Sequence, residues 1–381
     1  LLAWYAHVPM LLRKESENRG ALTFPSFLGD INNKRSSVVT ILAGVIAFVF
    51  LGSYAAAQFA AGGKSLQVLL GWDYQTGTLV SAGMIFFYCY AGGIRASIWT
   101  DVAQSIIMIV GMYALATTTI YHVGGFPALY SSLEAIDPTL VSIIPSTAKW
   151  GFTVLFLSLI VSGFGVIGQP HIMIRSMTLN KPQNMKLVRR IYLFLGYSIS
   201  FAGAFVGLAA RALYPLREGF DSEQIMPTIA AEYFHPVAAG LLLAALFAAT
   251  ISTADSQILV CSSALTNDIF PRFKNHFKMM KFATFISIVF VLIISLYFKN
   301  VFVLVMFSWA VLSSAFGPLL FVQAKKMPIS VGISIVMILS GLILGIFWRL
   351  QGWNKGAYEA LPGFLLCGIM YSLWRLLRKK Y

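Results

Sequence analysis

Between Ala249 and Gln257 the chain reads Ala-Thr-Ile-Ser-Thr-Ala-Asp-Ser-Gln, four hydroxyls and one carboxylate inside an otherwise apolar stretch. At about 100° per residue, Ala249, Ser252, Thr253, Asp255 and Ser256 fall within an arc of about 160° on one helix. Such a face offers hard oxygen ligands of the kind an alkali cation takes; the plainer alternative is a polar network that ties helices together. Asp255 stands twelve residues before Asn267, so roughly 18 Å along the helix at 1.5 Å per residue. An ionisable group at that depth in a membrane is costly and is a functional candidate by default, here for sodium or a proton. A second carboxylate, Asp101, follows Trp99-Thr100 at the start of another apolar stretch. It suits an ion site and a simple helix N-cap equally well.

A third cluster is Gly163, Gly165 and Gly168 followed by Gln169-Pro170-His171. Glycine and proline weaken a helix and free backbone carbonyls. In transporters, broken helices of this kind line solute and ion sites near the membrane midplane. Close packing of helices through small residues is the alternative. Gly163 to Gly168 also fits G-x-G-x-x-G, but a dinucleotide fingerprint needs a strand before it and an amphipathic helix after it. Gly62-Gly63-Lys64-Ser65 resembles the end of a phosphate loop, yet Gln58 stands where its first glycine belongs. Neither motif implies a nucleotide.

The elements that must hold these residues are membrane helices. Hydrophobic residues make up 58% of the chain and charged ones 11%. Spans of about 20 apolar residues, enough to cross the hydrocarbon core, are expected at 38–61, 76–94, 103–122, 150–168, 190–213, 235–267, 279–298, 300–322, 328–349 and 358–374. Leu1 to Leu12 is too short to cross and reads as the inner part of a helix whose start is absent, so the chain is expected to lack its true N-terminus, including a first core helix. The net charge of +14 does not point to nucleic acid, because its placement alternates. One alternate set of inter-span gaps carries 21 of the Lys and Arg residues, with Arg13, Arg95, Arg175, Arg189, Lys274, Lys379 and Lys380 among them. The other set carries 7, including Lys64, Arg211 and Arg217. The richer side faces the cytoplasm, which puts the C-terminus inside. Cys89, Cys261 and Cys367 lie in apolar spans and read as buried small hydrophobes. The five histidines are scattered without metal-ligand spacing, which argues against a transition metal.

With these residues in view, the chain resembles the sodium:solute symporter family, and most closely its bacterial sodium/proline members. The resemblance is carried by Ala21-Leu22-Thr23-Phe24-Pro25, Ile98-Trp99-Thr100-Asp101, Gly168-Gln169-Pro170-His171, the run Ser252 to Ser263 with Ala264-Leu265-Thr266-Asn267-Asp268, and Ala315-Phe316-Gly317-Pro318. It implies an all-α membrane protein of the LeuT type, two five-helix inverted repeats around a central site, forming a single transporter domain over residues 1–381. On this resemblance the chain starts partway into the second core helix. The span 38–61 is then the third core helix, 103–122 the fifth, 150–168 the sixth and 235–267 the eighth, and the last two spans are peripheral.

The same resemblance implies the site. One sodium is expected against the Ala249 carbonyl and the Ser252 and Thr253 hydroxyls. A second, nearer the cytoplasm, is expected among Asp101, Ser252, Asp255 and Ser256, with a proton as the alternative at Asp255. For the solute, Tyr54 matches a tyrosine of the third helix and Pro170 the motif proline. Ser162 and Val166 stand where family proline transporters have aromatic walls, with Phe164 as a substitute wall and Gln169 beside them. The implied activity is sodium-coupled import of a small organic solute, proline or another amino acid, across a bacterial inner membrane, with no enzymatic chemistry and no organic cofactor. A membrane sensor module built on the same fold and an inactive transporter fragment are the alternatives. Nothing in the sequence sets the oligomeric state.

Overall fold

A segment inside lipid must satisfy its own backbone N–H and C=O groups, so the apolar stretches become helices. The computed structural model describes residues 2–142, 144, 149–214, 221–274 and 276–378; Arg217, Lys379 and Lys380 of the charge count lie outside the described residues. In chain order the helices are α1 (Leu2–Tyr5), α2 (Val8–Asn18), α3 (Phe24–Leu28), α4 (Ser37–Leu70), α5 (Tyr74–Val123), α6 (Gly125–Ile136), α7 (Phe152–Phe164) and α8 (Pro170–Met177). They continue with α9 (Met185–Leu213), α10 (Ile225–Tyr233), α11 (Pro236–Ser263), α12 (Phe277–Tyr297), α13 (Val301–Ala324), α14 (Val331–Leu350) and α15 (Ala360–Arg378). A small antiparallel pair, Asp30–Ile31 with Lys34–Arg35, turns the chain between α3 and α4.

Among the described residues, eight helices are long and apolar enough to cross a membrane, and the bent pair α7–α8 makes a ninth. The stretch expected to cross at 76–94 is not one of them. It forms the first limb of α5, whose early turns carry Gln75, Thr76, Thr78 and Ser81, and it runs into a break at Gly93. The opening stretch is two short helices that meet at His7, which has a left-handed φ of 61°. Local chemistry sets the other ends. Ser36 caps α4 through the Val39 N–H, and Gly71 ends it in the left-handed conformation. Asp73 caps α5 by accepting from the Thr76 N–H and hydroxyl, which hold its carboxylate below the usual range.

Gly93 has φ 63° and ψ −177°, a region open only to glycine. A Cβ there would meet nothing within 4 Å, so the cost of Gly93→Ala is conformational alone, about 1–3 kcal/mol. A thermal melt of the purified protein should show a lower Tm for that variant; an unchanged Tm would contradict the bend.

α11 packs along both α4 and α5, and α13 packs on α4, α14 and α15. The Gly62-Gly63 pair lies within α4, where it admits the first turns of α5: a Cβ on Gly77 would sit 2.8 Å from the Gly63 carbonyl oxygen. Lys64, beside it, is buried and paired with Asp221 at 2.6 Å and Glu223 at 2.5 Å. The run that resembled a phosphate loop is thus a helix contact and an ion pair. The largest apolar core among the described residues draws on α2, α3, α4, α8, α13, α14 and α15, and contains the edge-to-face pair Phe24 and Phe316. The three cysteines are all buried.

Candidate functional site

The site begins where α7 ends. Gly165–Gly168 tightens into a 3-10 turn, Gln169 is extended, and Pro170 opens α8 as its first residue. A proline suits that position because its missing N–H has no partner to lose and its φ is already helical. The two limbs meet at 56°. The same glycines let the turn lie directly on α13. A Cβ on Gly168 would sit 2.6 Å from the Leu312 carbonyl oxygen and 2.7 Å from Ser313 Cα. Gln169 Nε2 donates to the Trp309 carbonyl at 2.9 Å and to Ser313 Oγ at 3.1 Å, and Ser313 Oγ donates to the Gly165 carbonyl at 3.0 Å. The two readings of this glycine cluster, a broken helix and a close packing, therefore describe one structure.

Facing α8, the hydroxyl face of α11 meets Asp101. Asp101 is about two turns beyond the Gly93 break, within the second limb of α5, so it is no N-cap. Ser252 Oγ donates to Asp101 Oδ1, and Arg175 NH2 lies 2.5 Å from Asp101 Oδ2. Arg175 also donates to Ser256 Oγ. Ser256 in turn donates to the Ser252 carbonyl at 2.9 Å and approaches Asp255 Oδ1 at 3.0 Å. Thr253 Oγ1 donates to the Ala249 carbonyl at 3.0 Å, so these two oxygens satisfy each other within the helix. Asp255 Oδ2 is buried without a hydrogen-bond partner, as are both polar atoms of the Gln257 amide. An orphaned carboxylate oxygen is rare in a folded protein, and a small cation is one ligand that would satisfy it.

Next to this cluster is a cavity of about 400 Å³, within the range of small-molecule sites. Ser252, Thr253 and Ser256 form one wall, and Arg175 reaches it from α8. Tyr54, on α4, stands edge-on to His171 at the first turn of α8, ring centroids 5.6 Å apart. Trp4, Tyr192 and Trp309 also line it, with Leu179, Met185 and Val188 beside them.

Of the residues expected to hold the solute, this cavity gathers one. Tyr54 lines it, but Ser162, Phe164, Val166, Gln169 and Pro170 do not. Phe164 packs against Phe321 and Phe364, so it forms no wall of this cavity. Val166 is buried in the core, and Gln169 and Pro170 are buried in the turn that lies on α13. Ser162 stays half-buried on α7. The cause is the bend itself, which turns α8 rather than α7 toward the hydroxyl face. The cavity also gathers His171, Arg175, Trp4, Tyr192 and Trp309, which the expected solute set does not contain. An arginine one helical turn after the motif histidine was the available signal for Arg175.

The family model for "Sodium:solute symporter family" matches residues 1–327. The chain is 30% identical to the "High-affinity proline transporter PutP" of Bacillus subtilis, over 95% of this chain and 78% of that protein. It is also 30% identical to the "Sodium/proline symporter" of Escherichia coli, over 97% of this chain and 75% of the relative. Among solved structures, the substrate-bound outward-open state of a Na+-coupled sialic acid symporter matches with a TM-score of 0.60 at 17% identity, covering 96% of this chain and 90% of that one. That last likeness concerns the fold alone.

Proposed function

Since the chain belongs to the sodium:solute symporter family, and is therefore a multi-pass, sodium-coupled transporter of the cell membrane with the LeuT-type fold, we propose that its solute is proline or a close amino-acid analogue. The observation that carries the reading is the shared wall: Ser252 and Ser256 take part in the Asp101 cluster and also line the aromatic cavity. A cation held at that wall and a solute held in the cavity are then neighbours, and their affinities enhance each other reciprocally.

In this reading sodium takes oxygens from Ser252 and Thr253, with Asp101, Asp255 and Ser256 as the set nearer the cytoplasm. Arg175 pairs with Asp101 when no cation is bound and releases it when one is. Rocking of the helices exposes ion and solute to the cytoplasm. The membrane potential adds about 2.3 kcal/mol per charge for each 100 mV. The asymmetry of basic residues supports a cytoplasmic C-terminus.

Ser252→Ala tests the ion wall. Proteoliposomes holding the variant should need roughly three- to tenfold more sodium for half-maximal proline uptake, the equivalent of one lost polar contact. Sodium dependence identical to that of the parent protein would remove Ser252 from the ion path.

A further inference from the structure

A second cavity, of about 350 Å³, lies between α3, the first turns of α4 and the π-type turn that follows α11. Two basic side chains line it, Arg35 and Lys274. Neither makes an ion pair among the described residues. Arg35 has one long hydrogen bond, from NH2 to the Gly20 carbonyl at 3.5 Å. The one acidic lining residue among those described, Asp268, is turned into the protein: its Oδ1 accepts from the Thr23 hydroxyl at 2.6 Å, and its Oδ2 is buried as well. A ligand in the cavity therefore meets the two cationic groups, with the carboxylate oxygens out of reach. Ser37, the first residue of α4, adds a hydroxyl to the wall. A phosphate suits this set, since a guanidinium forks onto its oxygens and an ammonium serves as a point charge.

The rim decides which phosphate. Leu22 and Ile41 line the cavity and are exposed apolar side chains. Ile41 belongs to a stripe of exposed residues on α4, Val38, Ile41, Val45 and Val49. Their spacing of three, four and four residues puts them on one face. α4 is a membrane span, so this face lies against hydrocarbon and leads from the rim of the cavity into the bilayer. A lipid whose chain follows the stripe brings its phosphate to Arg35 and Lys274. A dissolved phosphate has to be captured from dilute solution by cations that salt screens. A headgroup ammonium is repelled by the same two cations and finds no accessible carboxylate, so an anionic headgroup is favoured over a zwitterionic one.

We propose that this cavity holds the phosphate of an anionic glycerophospholipid, with Arg35 and Lys274 on the phosphate oxygens and an acyl chain along Val38, Ile41, Val45 and Val49. Basic pockets between membrane helices are suited to such headgroups. The lipid bridges the start of α4 to the segment after α11, and because it binds only the folded chain it raises the stability of that state.

The test is the melting temperature of the purified, delipidated full chain in neutral detergent, titrated with phosphatidylglycerol, phosphatidylcholine, glycerol 3-phosphate or inorganic phosphate. Phosphatidylglycerol should stabilise at concentrations at least about tenfold below phosphatidylcholine. The double variant Arg35→Gln with Lys274→Gln should need about ten- to thirtyfold more phosphatidylglycerol, with its response to phosphatidylcholine unchanged. The double variant Lys14→Gln with Lys325→Gln removes the same charge from exposed positions outside the cavity, and should respond like the parent chain. Ser37→Asp places a carboxylate in the cavity at a helix end where negative charge is favoured. It should keep its Tm without lipid and lose phosphatidylglycerol by a similar factor, which decides the matter should the first double variant not fold. Equal losses in the two double variants would mean that the lipid reads net charge and would overturn the assignment. So would equal potency of the two lipids, or stabilisation by glycerol 3-phosphate or inorganic phosphate at the concentrations where phosphatidylglycerol acts.

Discussion

Asp101→Asn is expected to raise the sodium concentration for half-maximal uptake by tenfold or more, or to abolish sodium-driven uptake. The carboxylate accepts from Ser252 and faces Arg175 at 2.5 Å. An amide keeps the shape but loses the charge that both a bound cation and the guanidinium need. Removing one partner of a buried ion pair costs about 3–5 kcal/mol. The Arg175 side chain is 36% exposed, so solvent screening reduces the folding cost to about 1–2 kcal/mol. The ion effect and the folding effect can therefore be separated. In the double variant Asp101→Asn with Arg175→Gln, the stranded guanidinium is gone, and Tm should recover toward that of the parent. Sodium affinity should not recover, because the anionic ligand is still missing. Recovery of both, or normal sodium-driven uptake by Asp101→Asn alone, would reduce this cluster to a structural tie between helices.

Gly168→Val is expected to cost the most folded protein of any substitution in the α7–α8 turn. The added Cβ falls 2.6 Å from a backbone carbonyl oxygen and 2.7 Å from a backbone Cα of α13, neither of which can rotate away. Overpacking of this kind costs about 1–3 kcal/mol, and more where backbone must move. Gly163→Ala is the matched control, since its Cβ would meet nothing within 4 Å. Gly163→Ala should purify and melt like the parent chain, whereas Gly168→Val should give a low yield of monodisperse protein or a sharply lowered Tm. Similar behaviour of the two would mean that the turn does not depend on its contact with α13.

The membrane helices were readable because hydrocarbon imposes one simple rule on composition. The broken helix was readable because glycine and proline mark it locally. The meeting of Ser252 with Asp101 came from the resemblance and from an intramembrane carboxylate that needs a partner. Other features depended on tertiary geometry that no local pattern carries. The helix bearing Asp101 starts at the Gly93 break, which places that residue about two turns in instead of at a cap. Phe164 looked like a wall because of its type and place, yet a bend of 56° directs it to Phe321 and Phe364. Trp4, Tyr192 and Trp309 are far apart in the chain and each reads as ordinary membrane aromatic character. Arg175 counted as one more basic residue at a helix end until its guanidinium proved to sit against Asp101.

Equilibrium binding of radiolabelled sodium to the purified chain, with Ser252→Ala and Asp101→Asn as comparison proteins, separates a cation site from a structural polar network. Binding should be saturable, resist displacement by excess potassium, tighten with solute in the parent chain, weaken in Ser252→Ala and be lost or nearly lost in Asp101→Asn. Sodium binding of equal strength in all three proteins would leave Ser252 and Asp101 as a tie between helices and nothing more.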